Sequence, residues 1–217
     1  MPLFFQHIIN ETTRLGIWKI DEPELFFLEQ VPLQRAITHP HKRLQHLAGR
    51  YLLKYFFPDF PYHEIAIADT RKPYLPYEQY HFSISHCGDY AAAIISSTHR
   101  VAIDIEIPSE KVERIKHKFL SGQENMVIDN LLLYGDSFLP TAANQLPTVI
   151  WSAKEAVFKW YGLGEVDFKK HICLTDEIAP GEDEWLHLLF AFLKHELTGI
   201  TVYSKLFENL VLSYCIS

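Results

Sequence analysis

The sequence predicts an α+β fold, and three observations carry that prediction. Residues 38 to 57 show a clear amphipathic helix pattern, and residues 65 to 107 read as short strands joined by tight turns. A second helix over residues 150 to 162 is followed, after Gly164, by further strand-like segments. Helix-then-strands therefore occurs in both halves, a sign of duplication, although no residue-by-residue repeat accompanies it.

In the first helix Leu44, Leu47, Ala48, Tyr51, Leu52 and Tyr55 form an i, i+3, i+4, i+7, i+8 stripe, with Lys42, Arg43 and Arg50 off it. Pro58 and Pro61 end the helix. Ile65–Ala68 is a short strand, and Arg71-Lys72-Pro73 a turn. His81–His86 alternates as a strand does, Cys87-Gly88-Asp89 turns, and Tyr90–Ser96 returns as an apolar strand. Thr98-His99-Arg100 turns again into Val101–Ile107, which makes an antiparallel run with short connections. Lys111–Leu120 is helical, and 121 to 149 reads as helix and loop, with weak periodicity between Asn130 and Pro140. Three strands close the chain: Trp185–Lys194, Thr198–Lys205 and Leu210–Ile216.

At 217 residues the chain has length for one large domain or two small lobes. A hydrophobic content of 48% with 22% charged residues is globular, and 15 Phe with 11 Tyr point to tight aromatic packing. No apolar run approaches the ~18 residues of a membrane span. The segment MPLFFQHIINET lacks a basic n-region, which argues against a signal peptide. Cys87, Cys173 and Cys215 are three, without close spacing, and fit a reducing cytoplasm rather than a disulfide framework or zinc site. A net charge of −7 speaks against nucleic-acid binding, whose affinity rests on neutralising phosphates.

Chemistry concentrates in two segments. Along Val101–Ile107 the side chains of Ala102, Asp104 and Glu106 share one face. Two carboxylates about 6–7 Å apart repel by roughly 2–3 kcal/mol at an effective dielectric near 20. Either water screens the pair, as on a solvated strand edge, or a hard cation sits between them. Hard oxygens at that spacing suit Mg²⁺, which completes its shell with waters and substrate phosphates. In the helix, Glu155 and Lys159 are four apart and stack on one face. They are either a surface ion pair or a third carboxylate with a cation for phosphate. Trp151 reads as packing, and Ser85 and His86, alone, as groups satisfied at a strand end.

Taken in order, Arg71-Lys72-Pro73, Phe82-Ser83-Ile84-Ser85-His86, Ala102-Ile103-Asp104-Ile105-Glu106 and Trp151-Ser152-Ala153-Lys154-Glu155-Ala156-Val157-Phe158-Lys159 form a set. It resembles the 4′-phosphopantetheinyl transferases, in particular the longer, surfactin-synthetase-type branch, over about residues 40 to 170. Arg71 and Ala102 stand where that family has glycine, and Cys87 where serine is common.

The resemblance implies two similar α/β lobes related by a pseudo-twofold axis, here 1–100 and 101–217. Each would be a small, mainly antiparallel sheet packed with a long helix, with the active site in the inter-lobe cleft. It implies transfer of 4′-phosphopantetheine from coenzyme A to a serine of an acyl or peptidyl carrier protein. Mg²⁺, with Mn²⁺ as the alternative, would sit on Asp104, Glu106 and Glu155. Asp104, Glu155 and Lys159 are then the catalytic set, with Glu155 the candidate base for the carrier serine. Lys72, Ser85, His86 and Lys154 would contact coenzyme A, with Arg43 and Arg50 as further phosphate candidates on the 38–57 helix. Arg114, Lys116, His117 and Lys118, followed by Phe119-Leu120-Ser121, resemble a carrier-docking face. A cytoplasmic monomer without nucleic-acid or membrane partners is expected. Two other readings remain at this stage: a metal-dependent nuclease and a non-catalytic coenzyme A-binding paralogue.

Overall fold

The structure, a computed structural model, describes residues 3–134 and 145–217. The chain divides into two compact units, one running to Ile105 and joined by Ser217, the other spanning Glu106–Ile216. The boundary falls inside strand β7, Val101–Glu106.

In the first unit, β1 (Leu3–Asn10), β2 (Thr13–Lys19), β5 (His81–Cys87) and β6 (Tyr90–Ser96) form an antiparallel sheet in the order β1-β2-β6-β5. The first two strands have no counterpart in the sequence reading. Their turn is nonetheless written in the chain: the Asn10 side chain accepts from the Thr12 N–H at 2.9 Å, a local device that reverses backbone without a glycine. A short helix α1 (Glu24–Leu28) precedes α2 (Pro40–Phe56). Pro40 opens α2 where a missing N–H costs nothing, and His39 Nδ1 accepts from the Lys42 N–H.

Leu47, Ala48 and Leu52 of the expected stripe are fully buried, whereas Tyr55 is 44% exposed. Leu53, Phe56 and Arg50, off that stripe, are buried too. The helix is covered by more than the sheet, because α1 packs on it as well. Gly49 marks its closest approach to the sheet: a Cβ there would meet Ile84 Cγ2 at 2.5 Å. Aromatic contacts are dense, with Trp18 edge-on to Tyr51 at 5.0 Å and Phe60 edge-on to Phe82 at 5.2 Å. The strands β3 (Ala66–Ile67) and β4 (Pro73–Tyr74) pair as a hairpin closed by the Arg71 turn.

In the second unit, α3 (Glu110–Ile115) runs into a 3₁₀ turn, Lys116–Lys118, followed by α4 (Gly122–Tyr134) and α5 (Gln145–Tyr161). Then come β8 (Ile172–Pro180), β9 (Trp185–Phe192), β10 (Thr198–Phe207) and β11 (Leu210–Ile216), ordered β11-β10-β9-β8 with antiparallel pairing. The strand β8 has no counterpart in the sequence reading, whose strands after Gly164 start at Trp185. The weak periodicity at 135 to 140 lies outside the described residues. The helix α5 packs on β11 and β10 and ends as anticipated, with Gly162 at φ 75° donating to Phe158 O. No helix among the described residues is long and apolar enough to cross a membrane. The three cysteines are free of disulfides.

Candidate active site

Strand β7 is not a solvated edge. Val101 through Ile105 are buried on both faces, Asp104 is 3% exposed, and Glu106 is half-buried. Water screening therefore does not explain the acid at 104. A buried carboxylate is costly unless it is hydrogen-bonded or paired. Ser85 Oγ donates to Asp104 Oδ1 at 2.9 Å. A carboxylate only accepts, so the single hydroxyl proton of Ser85 is committed to Asp104. Ser85 thus orients an acid in this structure.

Glu106, the first residue of the second unit, receives a matching neutral donor within that unit: Trp151 Nε1–H donates to Glu106 Oε1 at 3.1 Å. Trp151, Glu155 and Lys159 are four apart along α5 and form one half-buried stripe. The indole–carboxylate contact thus brings that stripe beside the end of β7, and Glu155 sits one turn beyond the residue that touches Glu106. Among the described residues, no group of three or more His, Cys, Asp or Glu side chains gathers closely enough to hold a metal ion.

Lys154, on the opposite side of α5, has another role than the one expected. It is fully buried, and its three donors go to Glu124 Oε1 at 2.7 Å, Phe119 O at 2.8 Å and Phe168 O at 2.9 Å. Burial lowers its pKa, and Glu124 opposes that shift. Lysine has only three ammonium hydrogens, so none remains for a phosphate. Glu124, which sequence reading missed, is 2% exposed and also accepts from Ser121 N and Leu174 N. The signal was present in the chain: Ser121 Oγ accepts from Glu124 N, so Ser-x-x-Glu is a capping box opening α4.

Arg43 is held at the other helix pair. Its Nε and Nη2 donate to the two Glu24 oxygens, both at 2.7 Å, and Nη1 donates to Ile37 O. This bidentate pair ties α1 to α2 and engages three of the five guanidinium hydrogens. Arg50 differs: it is 6% exposed, and its guanidinium meets the Gln34 side-chain oxygen and His46 Nδ1. Arginine only donates, so Nδ1 accepts and the imidazole proton resides on Nε2. That Nε2 is buried and has no hydrogen-bond partner among the described residues. Burial pushes the His46 pKa down to about 3, with Arg50, Arg35 and His86 adding repulsion. Burial also brings Arg50 down to about 10. A cationic cluster with an orphaned buried N–H is suited to an anion.

The His46 shift has a consequence for stability. Between pH 6.5 and about 3 the unfolded chain takes up a proton at residue 46 that the folded chain refuses. Stability should therefore fall as pH drops through that window. Comparing urea midpoints of the wild type and His46→Gln from pH 7 to 4 checks this, the variant showing the shallower decline.

Ser85 and His86 point to opposite faces of β5, the former buried against Asp104 and the latter exposed. His86 shares the face of Ile84, which meets α2 at Gly49, and it senses His46 electrostatically. The end of β5 thus separates a carboxylate side from a cationic side. Arg71 has φ 67°, the left-handed region that glycine enters freely, so the turn keeps its shape at a cost of roughly 1–2 kcal/mol. Lys72, half-buried, follows it.

The expected docking face also needs correction. Phe119 and Leu120 are buried, while Arg114, His117 and Lys118 are exposed and Lys116 pairs with Glu113. An open cleft of about 670 Å³ in the same unit is lined by Lys118, Phe158, Asp167, Phe168 and Lys169, among others.

No curated protein gives a significant match to the sequence. A model of the 4′-phosphopantetheinyl transferase superfamily matches residues 100–215, just over half of the chain, and takes in β7, the α3–α4 region and α5. With the Asp104–Glu106 strand, the Glu155–Lys159 stripe and that match in hand, the chain belongs to the 4′-phosphopantetheinyl transferase superfamily.

Proposed function

We propose that the protein transfers the 4′-phosphopantetheine group of coenzyme A to a serine of an apo acyl or peptidyl carrier protein, with Mg²⁺. The serine oxygen forms a bond to the β-phosphorus, and the bond from that phosphorus to the bridging oxygen breaks. Holo-carrier and adenosine 3′,5′-bisphosphate result. The observation that carries the reading is the Trp151–Glu106 contact, which joins the acidic end of β7 to the helix face bearing Glu155 and Lys159.

Asp104 and Glu106 offer hard oxygens, each oriented by a donor that leaves its charge intact. That suits Mg²⁺, which is commonly held by one or two carboxylates together with substrate phosphates and water. When bound, the ion neutralises charge on the leaving phosphate and orients in-line attack. Glu155 is the third candidate ligand and the candidate base, directly or through water, and takes the serine proton. Lys159, a turn further on, supplies a cation to the pyrophosphate. On the other face of β5, Arg50, His46 and His86 form the phosphate-holding cluster, with Lys72 a further contact. His46 acts there as a neutral N–H donor.

Arg50→Met should raise the KM for coenzyme A by about tenfold to a hundredfold, the ~1.5–3 kcal/mol of a hydrogen bond to a charged group. The kcat at saturation should change much less. Steady-state kinetics with varied coenzyme A decides this, and an unchanged KM removes Arg50 from the site.

Carrier proteins are typically acidic, and Arg114, His117 and Lys118 are the exposed basic groups suited to steering them. The protein acts in this reading as a cytoplasmic monomer. A net charge of −7 speaks against the nuclease alternative, because nucleic-acid affinity rests on neutralising phosphates. Incubation with apo-carrier, coenzyme A and Mg²⁺ tests the proposal: the carrier should gain the mass of one phosphopantetheine. An unmodified carrier with bound coenzyme A would instead support a non-catalytic binder.

A further inference from the structure

Trp151 makes more of its surroundings than packing requires. Its ring contacts Phe119 (centroids 4.9 Å apart, tilted) and stacks on Phe168 (5.5 Å). The same two residues accept the Lys154 ammonium on their backbone carbonyls. Lys154, three residues along α5 from Trp151, is itself anchored by Glu124. One buried charge pair therefore ties down the backbone of both rings that touch the indole, and the indole N–H meets Glu106.

We propose that Trp151 is a positioning residue: held by Phe119 and Phe168, its indole N–H fixes the rotamer of the Glu106 carboxylate for a divalent cation. Glu106 is half-buried, so water has access to it, and satisfaction alone does not call for a protein donor. An indole donates without carrying charge, which orients the carboxylate yet leaves it anionic. A lysine or arginine in that place would compete with the cation. Supporting partners of this kind typically change metal affinity or activity by about 10–100-fold when removed.

The inference rests on the reading of Glu106 as a metal ligand, and the experiment separates the two. Mn²⁺ is titrated into the protein with coenzyme A present, and free Mn²⁺ is read by its paramagnetic resonance signal. Wild type, Trp151→Phe and Glu106→Gln are compared. Trp151→Phe keeps an aromatic ring against the two Phe side chains and removes the N–H. It should weaken Mn²⁺ binding by about tenfold, in the range of supporting-partner effects. The Mg²⁺ needed for half-maximal activity should rise in parallel, with kcat at saturating metal largely kept. Glu106→Gln should weaken binding at least as much.

If Glu106→Gln weakens binding and Trp151→Phe does not, Trp151 is packing only and the inference fails. If neither variant alters Mn²⁺ affinity, Glu106 is not a ligand, and the inference fails with the reading beneath it. Wild-type protein gives a check that does not depend on a variant's folding. Mn²⁺ with coenzyme A should broaden the Trp151 indole N–H resonance beyond detection, and an unaltered resonance overturns the proposal.

Discussion

Asp104→Asn should abolish phosphopantetheine transfer while leaving the protein folded. The side chain is 3% exposed and receives the Ser85 hydroxyl, and asparagine keeps both the volume and an acceptor oxygen for that hydrogen bond. What disappears is the negative charge. In the proposed reaction that charge holds the cation against the pyrophosphate, a contribution worth several kcal/mol at the transition state. At 1.36 kcal/mol per decade, the loss is roughly a hundredfold to ten-thousandfold in kcat/KM. Mass spectrometry of the carrier over time measures it, with circular dichroism confirming the fold. A variant that keeps more than about a tenth of wild-type rate would remove Asp104 from the catalytic set. The substitution is informative because β7 is buried here on both faces. A solvated carboxylate could be lost without consequence; this one carries a burial cost that the proposed cation would offset.

Lys154→Met should be the most destabilising single change in the second unit. Methionine fills the volume of the lysine stem but strands Glu124, 2% exposed, as a buried carboxylate without its cation. Breaking a buried pair by removing one partner typically costs about 3–5 kcal/mol. The Phe119 and Phe168 carbonyls also lose their donor. Adding Glu124→Gln to Lys154→Met should restore part of the loss, because the amide removes the stranded charge while its oxygen still accepts from one of the two backbone N–H groups, Ser121 or Leu174. Urea unfolding of the two single variants and the double variant gives the coupling between them. The measurement also decides between two roles for Lys154. A coenzyme A contact predicts a raised KM with stability nearly unchanged; the buried tie predicts the reverse.

The Lys154 case shows where reading the chain stops. Its place beside Glu155 in a Trp-Ser-x-Lys-Glu helix suggests partnership with substrate, and only the burial of its ammonium among Glu124, Phe119 and Phe168 shows otherwise. Arg43 and Arg50 make the complementary pair. Both fall off the apolar stripe of α2 and look alike in sequence. The fold pairs one with Glu24 and encloses the other beside an orphaned histidine N–H. Phe119 and Leu120 resemble an exposed docking segment, and the structure buries them.

Local order was legible because local physics sets it. Strand alternation assigned Asp104 and Glu106 to one face, helical spacing stacked Glu155 under Lys159, and Gly162 ended α5 where its backbone freedom was needed. The ordered set of short motifs also identified the superfamily. What tertiary structure alone decided is partnership: which donor meets which carboxylate, and which cation is already taken. Those contacts join residues 19 to 50 positions apart, as in Ser85–Asp104, Trp151–Glu106 and Leu174–Glu124. Periodicity says which way a side chain faces. It carries no information about what the rest of the chain has brought to meet it, because that depends on closing loops whose geometry no short window contains.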